Sequence, residues 1–251
     1  MTTSSPESVL TLTDSRLVGP ALFELTFTRP DDYDFEAGQF ARLGLAPDGT
    51  EPVFRAYSIA SAPEEPVLRF LIKAVDGGVL SPKLTALKPG DTVRLDGPAQ
   101  GTLLPARIPG GEALWCIATG SGLAPFLSVI GSEAAAEAWP QVYVVIGART
   151  HAETRALRTL AQSRAHRPVT ILTAVTREAD PEESLAGRLP ALLAEGALEK
   201  ALGTTITPEN ARVLLCGNPD FTKAMRAELK TRGLVSPRFG KPGQVLVEAL
   251  W

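Results

Sequence analysis

The sequence predicts two domains in series: an N-terminal antiparallel β-barrel, then a C-terminal α/β domain with a five-stranded parallel sheet. Three observations carry this. Residues 8 to about 105 hold many short runs with a period of two, separated by turn residues. A Pro/Gly-rich stretch, LLPARIPGGE at 103–112, then interrupts the pattern. Beyond it, apolar strand-like cores alternate with segments of helical period. The predicted domains are therefore 1–105 and 106–251.

In the first half, ALFELTFT puts Phe23, Leu25 and Phe27 on one face and Glu24, Thr26 and Thr28 on the other. That is the pattern of a half-buried strand. QFARLGL, VFRAYSIA, VLRFLIKAV and DTVRLDG are similar runs. Turn signals separate them at Ala37-Gly38, Pro47-Asp48-Gly49, Asp76-Gly77-Gly78 and Lys88-Pro89-Gly90-Asp91. Close spacing of many short strands favours a barrel. A short helix is expected at LSPKLTAL, with Ser81 as cap and Pro82 at the first helical position.

In the second half the expected strands are ALWCIA, QVYVVIG, VTILTAV, VLLCG and the chain end at Val247–Trp251. Helices are expected at LAPFLSVIG, AETRALRTLAQSR, RLPALLAEG and PDFTKAMRAELKTRG. Strand–helix alternation of this kind gives a parallel sheet covered on both faces.

Composition narrows the chemistry. The chain has 251 residues, 44% hydrophobic and 21% charged, which is ordinary for a soluble globular protein. A net charge of −3 gives the whole molecule no strong attraction to nucleic acid. The start, MTTSSPES, has neither the basic residues nor the apolar stretch of a secretory signal. No apolar run approaches the roughly 18–20 residues that span a bilayer, so the expected location is the cytoplasm. Cys116 and Cys216 each lie in an apolar run, as packing cysteines do. Two cysteines cannot supply the four ligands of an ordinary iron–sulfur cluster. With only His151 and His166 beside them, no metal site is expected. Redox chemistry would then need an organic cofactor.

Two stretches have the make-up of such a site. Cys116–Phe126 runs from a buried strand through Thr119-Gly120-Ser121-Gly122 into a helix beginning near Ala124-Pro125. Glycines there let a phosphate or a ring approach the backbone, and a helix start favours an anion. In Arg55-Ala56-Tyr57-Ser58, alternation puts Arg55 and Tyr57 on one strand face and Ser58 on the other. Arginine suits a diphosphate, tyrosine a flat ring, and a serine hydroxyl a ring nitrogen. A half-buried strand with one snorkelling arginine would look the same. The helix start after Asp76-Gly77-Gly78 could receive the same diphosphate.

Taken together, RAYSIAS, DGGVLSPKL, ATGSGLAPFLSVI, VTRE, GRLPALL, CGNPDF and an aromatic C-terminus occur in one order along nearly the whole chain. In this the chain resembles the bacterial ferredoxin/flavodoxin–NADP reductases. The resemblance implies an FAD-binding barrel, an NADP-binding α/β domain, and ferredoxin or flavodoxin as partner. It implies a monomer. Carried over by motif, it places Arg55 on the FAD pyrophosphate, with Ala56 beside it. Tyr57 would lie along the isoalloxazine and Ser58 near flavin N5. Leu71, Gly78, Val79, Leu80 and Ser81 would complete the FAD site in the barrel. Thr119 would stand between flavin and nicotinamide. Arg149, Arg177 and Arg188, with Thr150 and Thr176, would hold the NADP 2′-phosphate. Cys216, Gly217 and Asn218 would line the nicotinamide pocket, Cys216 shaping it without acting as a nucleophile. Trp251 would stack on the FAD adenine. Leu250 would face the isoalloxazine, where many relatives place an aromatic side chain. For the chemistry, the resemblance points to Ser58, Thr119, Cys216 and Glu248.

Charge distribution agrees with an acidic carrier as partner. Residues 209–241 hold seven basic groups (Arg212, Lys223, Arg226, Lys230, Arg232, Arg238 and Lys241) against three acidic ones. Residues 1–105 carry nine basic and fourteen acidic groups. Two other readings stay open on sequence. One is a reductase component of an oxygenase, or a free-flavin reductase. The other is a flavin-bearing sensor or electron-transfer subunit without turnover.

Overall fold

The structure, a computed structural model, describes residues 7–46, 51–108, 110–178, 184–238 and 240–250. The expected turn at Pro47-Asp48-Gly49 lies outside them.

The first half forms six antiparallel strands: β1 (Ser8–Gly19), β2 (Leu22–Thr28), β3 (Phe40–Leu45), β4 (Val53–Ser58), β5 (Val67–Lys73) and β6 (Thr92–Gln100). Their order is β4-β3-β6-β1-β2-β5. The two ends of that order meet just beyond β4. Ile59 bridges Phe70, and Ala60 N–H donates to Arg69 O at 2.7 Å. The sheet thereby closes at one corner, and among the described residues the closure leaves most of the β4 edge unpaired. Its interior is filled by Leu10, Leu12, Leu25, Phe27, Leu43 and Phe70, all buried.

β1 is the strand that the pattern reading did not single out. Leu10 and Leu12 point inward, but the register slips between Leu12 and Asp14. The bulge breaks the period of two just before the polar Asp14–Arg16 run. A further difference falls in β2. Glu24, expected on the open face, is only 4% exposed. The second domain covers that end of the strand. Arg164 Nη2 donates to Glu24 Oε1 and Oε2 at 2.8 and 2.9 Å, and Arg16 Nη2 donates to Oε2 at 2.7 Å. A carboxylate so placed is neutralised and saturated with donors, which is what makes its burial tolerable.

The short helix α1 (Ser81–Ala86) forms one residue earlier than expected. Leu80 is its cap residue and Pro82 its second residue. The Ser81 hydroxyl turns back instead and accepts Val75 N–H at 3.3 Å, closing the loop.

The second half is a parallel sheet flanked by helices. Its strands are β7 (Ala113–Thr119), β8 (Gln141–Ala148), β9 (Thr170–Val175), β10 (Leu185–Ala186), β11 (Ala211–Gly217) and β12 (Val245–Ala249). Their order is β10-β9-β8-β7-β11-β12, every pair parallel. Among the described residues there are six strands rather than five. The extra one, β10, pairs two residues with Ala174 and Val175, too few to leave a periodic signal. The helices are α2 (Ala124–Gly131), α3 (Glu133–Ala138), α4 (His151–Arg164), α5 (Leu189–Ala194), α6 (Ala197–Leu202) and α7 (Pro219–Thr231). The four expected helices are α2, α4, α5 and α7; α3 and α6 are six residues each and were not anticipated. From β7 the chain winds outward through β8, β9 and β10 on one side, and β11 and β12 lie on the other. The direction therefore reverses between β7 and β11, and the crevice beyond their C-terminal ends is where such sheets bind ligands.

Candidate active site

At that crevice, β7 ends in Thr119 and passes through a 3-10 turn, Gly120–Leu123, before α2 begins at Ala124. The turn is tight against β11. A Cβ at Gly122 would stand 2.4 Å from Cys216 O, and one at Gly217 would stand 2.3 Å from Thr119 Oγ1. Both positions therefore require glycine. The two strand ends interlock, and the Thr119 side chain is held directly over Gly217. Asn218 caps α7, its Oδ1 accepting Phe221 N–H at 2.9 Å, so its carbonyl oxygen is committed to the helix.

The last described strand brings in the chain end. In the β11–β12 ladder Cys216 faces Glu248 and Gly217 faces Ala249, and Leu250 N–H donates to Gly217 O at 2.8 Å. Leu250 packs partly buried against the core beneath the crevice. Trp251 lies outside the described residues. Across the domain seam, Ser58 Oγ donates to Glu248 Oε1 at 2.8 Å. Burial raises the pKa of Glu248, and the Ser58 hydrogen bond opposes that shift. Burial also pushes the Cys216 thiol well up, with the Glu248 charge adding to the effect. A thiol kept protonated in this way is a poor nucleophile, in keeping with its reading as a packing residue.

On the barrel side, the β3–β4 ladder fixes the Arg55–Ser58 run: Ser58 faces Phe40, Tyr57 Ala41, Ala56 Arg42 and Arg55 Leu43. Arg55 and Ala56 are exposed, Tyr57 is half-buried and Ser58 is buried. The alternation read from sequence holds. Arg55 Nη1 donates to its neighbour's carbonyl, Phe54 O, at 2.8 Å, and Arg55 forms no ion pair with another described residue. Burial raises the Tyr57 hydroxyl to about 12, against the pull of the Arg55 charge. Gly78 lies in the closed loop before α1, where a Cβ would stand 2.9 Å from Val75 O. Val79 is exposed beside it and Leu80 is buried. Leu71 is buried in the apolar core shared with the second domain, alongside Leu22 and Ala60.

The three arginines fall on successive loops at one edge of the parallel sheet. Arg149 follows β8, Arg177 follows β9, and Arg188 follows β10 and caps α5. All three are exposed, and none forms an ion pair with another described residue. Backbone contacts knit the loops together, since Arg177 N–H donates to Arg149 O at 3.0 Å. Thr150 caps α4, its Oγ1 accepting Glu153 N–H at 3.3 Å. Thr176 Oγ1 donates to Ala148 O at 3.3 Å. Glu153, His151 and Glu178 stand among these residues and were not singled out from sequence. Thr150 followed three residues later by Glu153 is a capping-box pattern, and that signal could have found Glu153.

These residues suit a dinucleotide pair. The barrel offers an exposed guanidinium, a half-buried phenol and a buried hydroxyl along one strand. The sheet offers a glycine-floored crevice and, farther out, three cations without counterions among the described residues. The two meet where Ser58 reaches Glu248.

Comparison with known proteins agrees with this division. Residues 10–103 match the family model of the oxidoreductase FAD-binding domain, and residues 116–227 that of the oxidoreductase NAD-binding domain. The flavodoxin/ferredoxin–NADP reductase of Escherichia coli (strain K12) is 38% identical over 234 residues, spanning 92% of this chain and 93% of that protein. The ferredoxin–NADP reductase of Azotobacter vinelandii is 34% identical over 90% of this chain and 91% of its own. The crystal structure of a ferredoxin NADP+ reductase from Neisseria gonorrhoeae with bound FAD and NADP superposes with a TM-score of 0.90. It is 32% identical, over 98% of this chain and 99% of that one. The chain belongs to the flavodoxin/ferredoxin–NADP reductase family.

Proposed function

We propose that this protein is an FAD-dependent reductase that exchanges hydride with NADP(H) and single electrons with ferredoxin or flavodoxin. Residues 1–105 form the FAD domain and 106–251 the NADP domain, in a cytoplasmic monomer. The observation that carries the reading is the Ser58–Glu248 hydrogen bond, which joins the flavin-type strand of the barrel to the crevice of the sheet.

FAD held here would supply hydride acceptance and one-electron release. The chain's own residues supply position and charge. Arg55 anchors the pyrophosphate, aided by the Gly78–Ser81 loop, while Tyr57 and Leu250 flank the ring system. Ser58 presents its oxygen toward N5 while its proton is directed to Glu248 Oε1. Glu248, held neutral to higher pH than an ordinary carboxyl, can store a proton beside that hydroxyl. Thr119 and Cys216 shape the space for the nicotinamide, with Gly217 and Asn218 at its wall. Arg149, Arg177 and Arg188 read the 2′-phosphate.

The proposed docking face for an acidic carrier is narrower than the run of seven basic residues. Arg232 pairs with Glu199 at 2.5 Å, and Arg212 Nη1 donates to Pro208 O at 2.8 Å. Lys223, Arg226 and Lys230 remain exposed along α7. Comparing NADPH- and NADH-driven reduction of ferredoxin and of flavodoxin tests the whole reading. A marked NADPH preference and rates that fall steeply with salt support it. An NADH preference refutes the assignment of the arginines, and a rate indifferent to salt refutes docking on this face.

A further inference from the structure

Glu153 lies in the first turn of α4, with a side chain only 14% exposed, and its N–H and one carboxylate oxygen both engage the Arg149–Thr150 segment. Its Oε2 accepts Arg149 N–H at 2.8 Å. Its own N–H donates to Thr150 Oγ1 at 3.3 Å. Its Oε1 stands 3.6 Å from Lys73 Nζ, at the end of β5 in the barrel. The segment it holds is itself an anchor, because Arg149 O receives the N–H of Arg177.

The neighbouring amides are committed in the same way. His151 N–H donates to Glu178 Oε2, and Thr154 N–H donates to Thr150 O. At this helix start the amides of His151, Glu153 and Thr154 are therefore already satisfied, by a carboxylate, a hydroxyl and the turn itself. With most of its backbone donors committed, this helix start leaves phosphate recognition mainly to side chains. The Thr150 oxygen is occupied as an acceptor by Glu153 N–H, which leaves its hydroxyl hydrogen available to donate outward. The Glu153 carboxylate engages an amide and an ammonium, and no ion pair with the exposed Arg149 guanidinium is formed.

We propose that Glu153 is a positioning residue for 2′-phosphate recognition: it fixes the Arg149–Thr150 segment so that guanidinium and hydroxyl are presented together. This rests on the reading of Arg149 as a 2′-phosphate ligand. Glu153 touches no part of the dinucleotide and acts through the loop, and its carboxylate needs only its acceptor oxygen, so glutamine substitutes for it.

The test is calorimetric binding of adenosine 2′,5′-bisphosphate and of AMP to the flavin-loaded protein, for wild type, Glu153→Ala, Glu153→Gln and Arg149→Ala. Glu153→Ala should weaken the bisphosphate about fivefold to tenfold and leave AMP within about twofold, the size of one or two lost hydrogen bonds. Glu153→Gln should recover most of that loss. In turnover, Glu153→Ala should raise KM for NADPH by a similar factor with kcat unchanged. Wild-type bisphosphate affinity in Glu153→Ala overturns the proposal, as does an equal loss of bisphosphate and AMP. Arg149→Ala separates the two layers of the argument. If it too binds the bisphosphate normally, the reading of Arg149 fails; if it alone weakens binding, only the role of Glu153 fails.

Discussion

The two binding edges of this molecule are built from different materials. In the barrel, Arg55, Tyr57 and Ser58 sit within one strand, so the β3–β4 ladder fixes their spacing and the face each side chain takes. At the sheet, Arg149, Arg177 and Arg188 sit on three loops, joined by loop hydrogen bonds such as Arg177 N–H to Arg149 O. A strand holds its side chains in one register, whereas loops adapt at lower cost. Under the proposed function, the first edge would hold the flavin and the second the nicotinamide nucleotide.

The comparison requires both edges to share one frame, and the largest expected effect lies at the seam. Glu24→Ala leaves Arg164, and to a lesser extent the more exposed Arg16, without the carboxylate between the domains. Arg69, whose pKa burial and the Arg164 charge already lower, is in the same cluster. Loss of about 3 kcal/mol is expected, as for breaking a buried ion pair. Denaturant unfolding measures it, and an unchanged midpoint would mean that the seam is held by apolar packing alone.

Next in size is Arg55→Ala. Losing the charge-assisted contacts to a pyrophosphate should weaken FAD by about 2–3 kcal/mol, or roughly a hundredfold. The flavin-to-protein absorbance ratio after dialysis reads this directly. Full retention of flavin would move the anchoring role to the Gly78–Ser81 loop.

A smaller change is expected at the other edge. Arg188→Ala should raise KM for NADPH about tenfold, near 1.4 kcal/mol, with little effect on NADH. Equal effects on both nucleotides would show that Arg188 does not see the 2′-phosphate.

The smallest effect belongs to Glu248→Gln, and it depends on pH. Burial raises the folded pKa of Glu248 above its unfolded value. Between those values the folded state binds more protons than the unfolded chain, so stability falls as pH rises through that window. Above it the loss is complete and level. Glutamine removes the titration, so the Tm of the variant should gain on wild type as pH climbs through the window. A difference independent of pH would contradict the burial account.

Much of this organisation was legible in the residues. Period-two runs gave β2 through β6, and four helices followed their apolar stripes because local pattern and final packing agree there. What escaped was set by contacts distant in sequence. Glu24 reads as a solvent-facing residue until α4, 140 residues later, covers it. β1 is masked by its own bulge, and β10 is too short to have a period. Ser81 has the composition of a cap, yet Val75 N–H claims its oxygen. At the site, the flavin-type run and the three arginines are assigned by motif, and the structure puts the arginines on successive loops. Glu153 shows only its capping-box spacing from Thr150, and Lys73 meets it through a contact distant in sequence that no local pattern encodes.

The central claim is that hydride passes from NADPH to a flavin held by the barrel. Anaerobic addition of NADPH to the purified flavin-loaded protein tests it most directly. The oxidised-flavin absorbance should bleach with NADPH at concentrations where NADH leaves it largely intact. Persistence of the colour with NADPH, or a protein that neither carries nor accepts FAD, would contradict it.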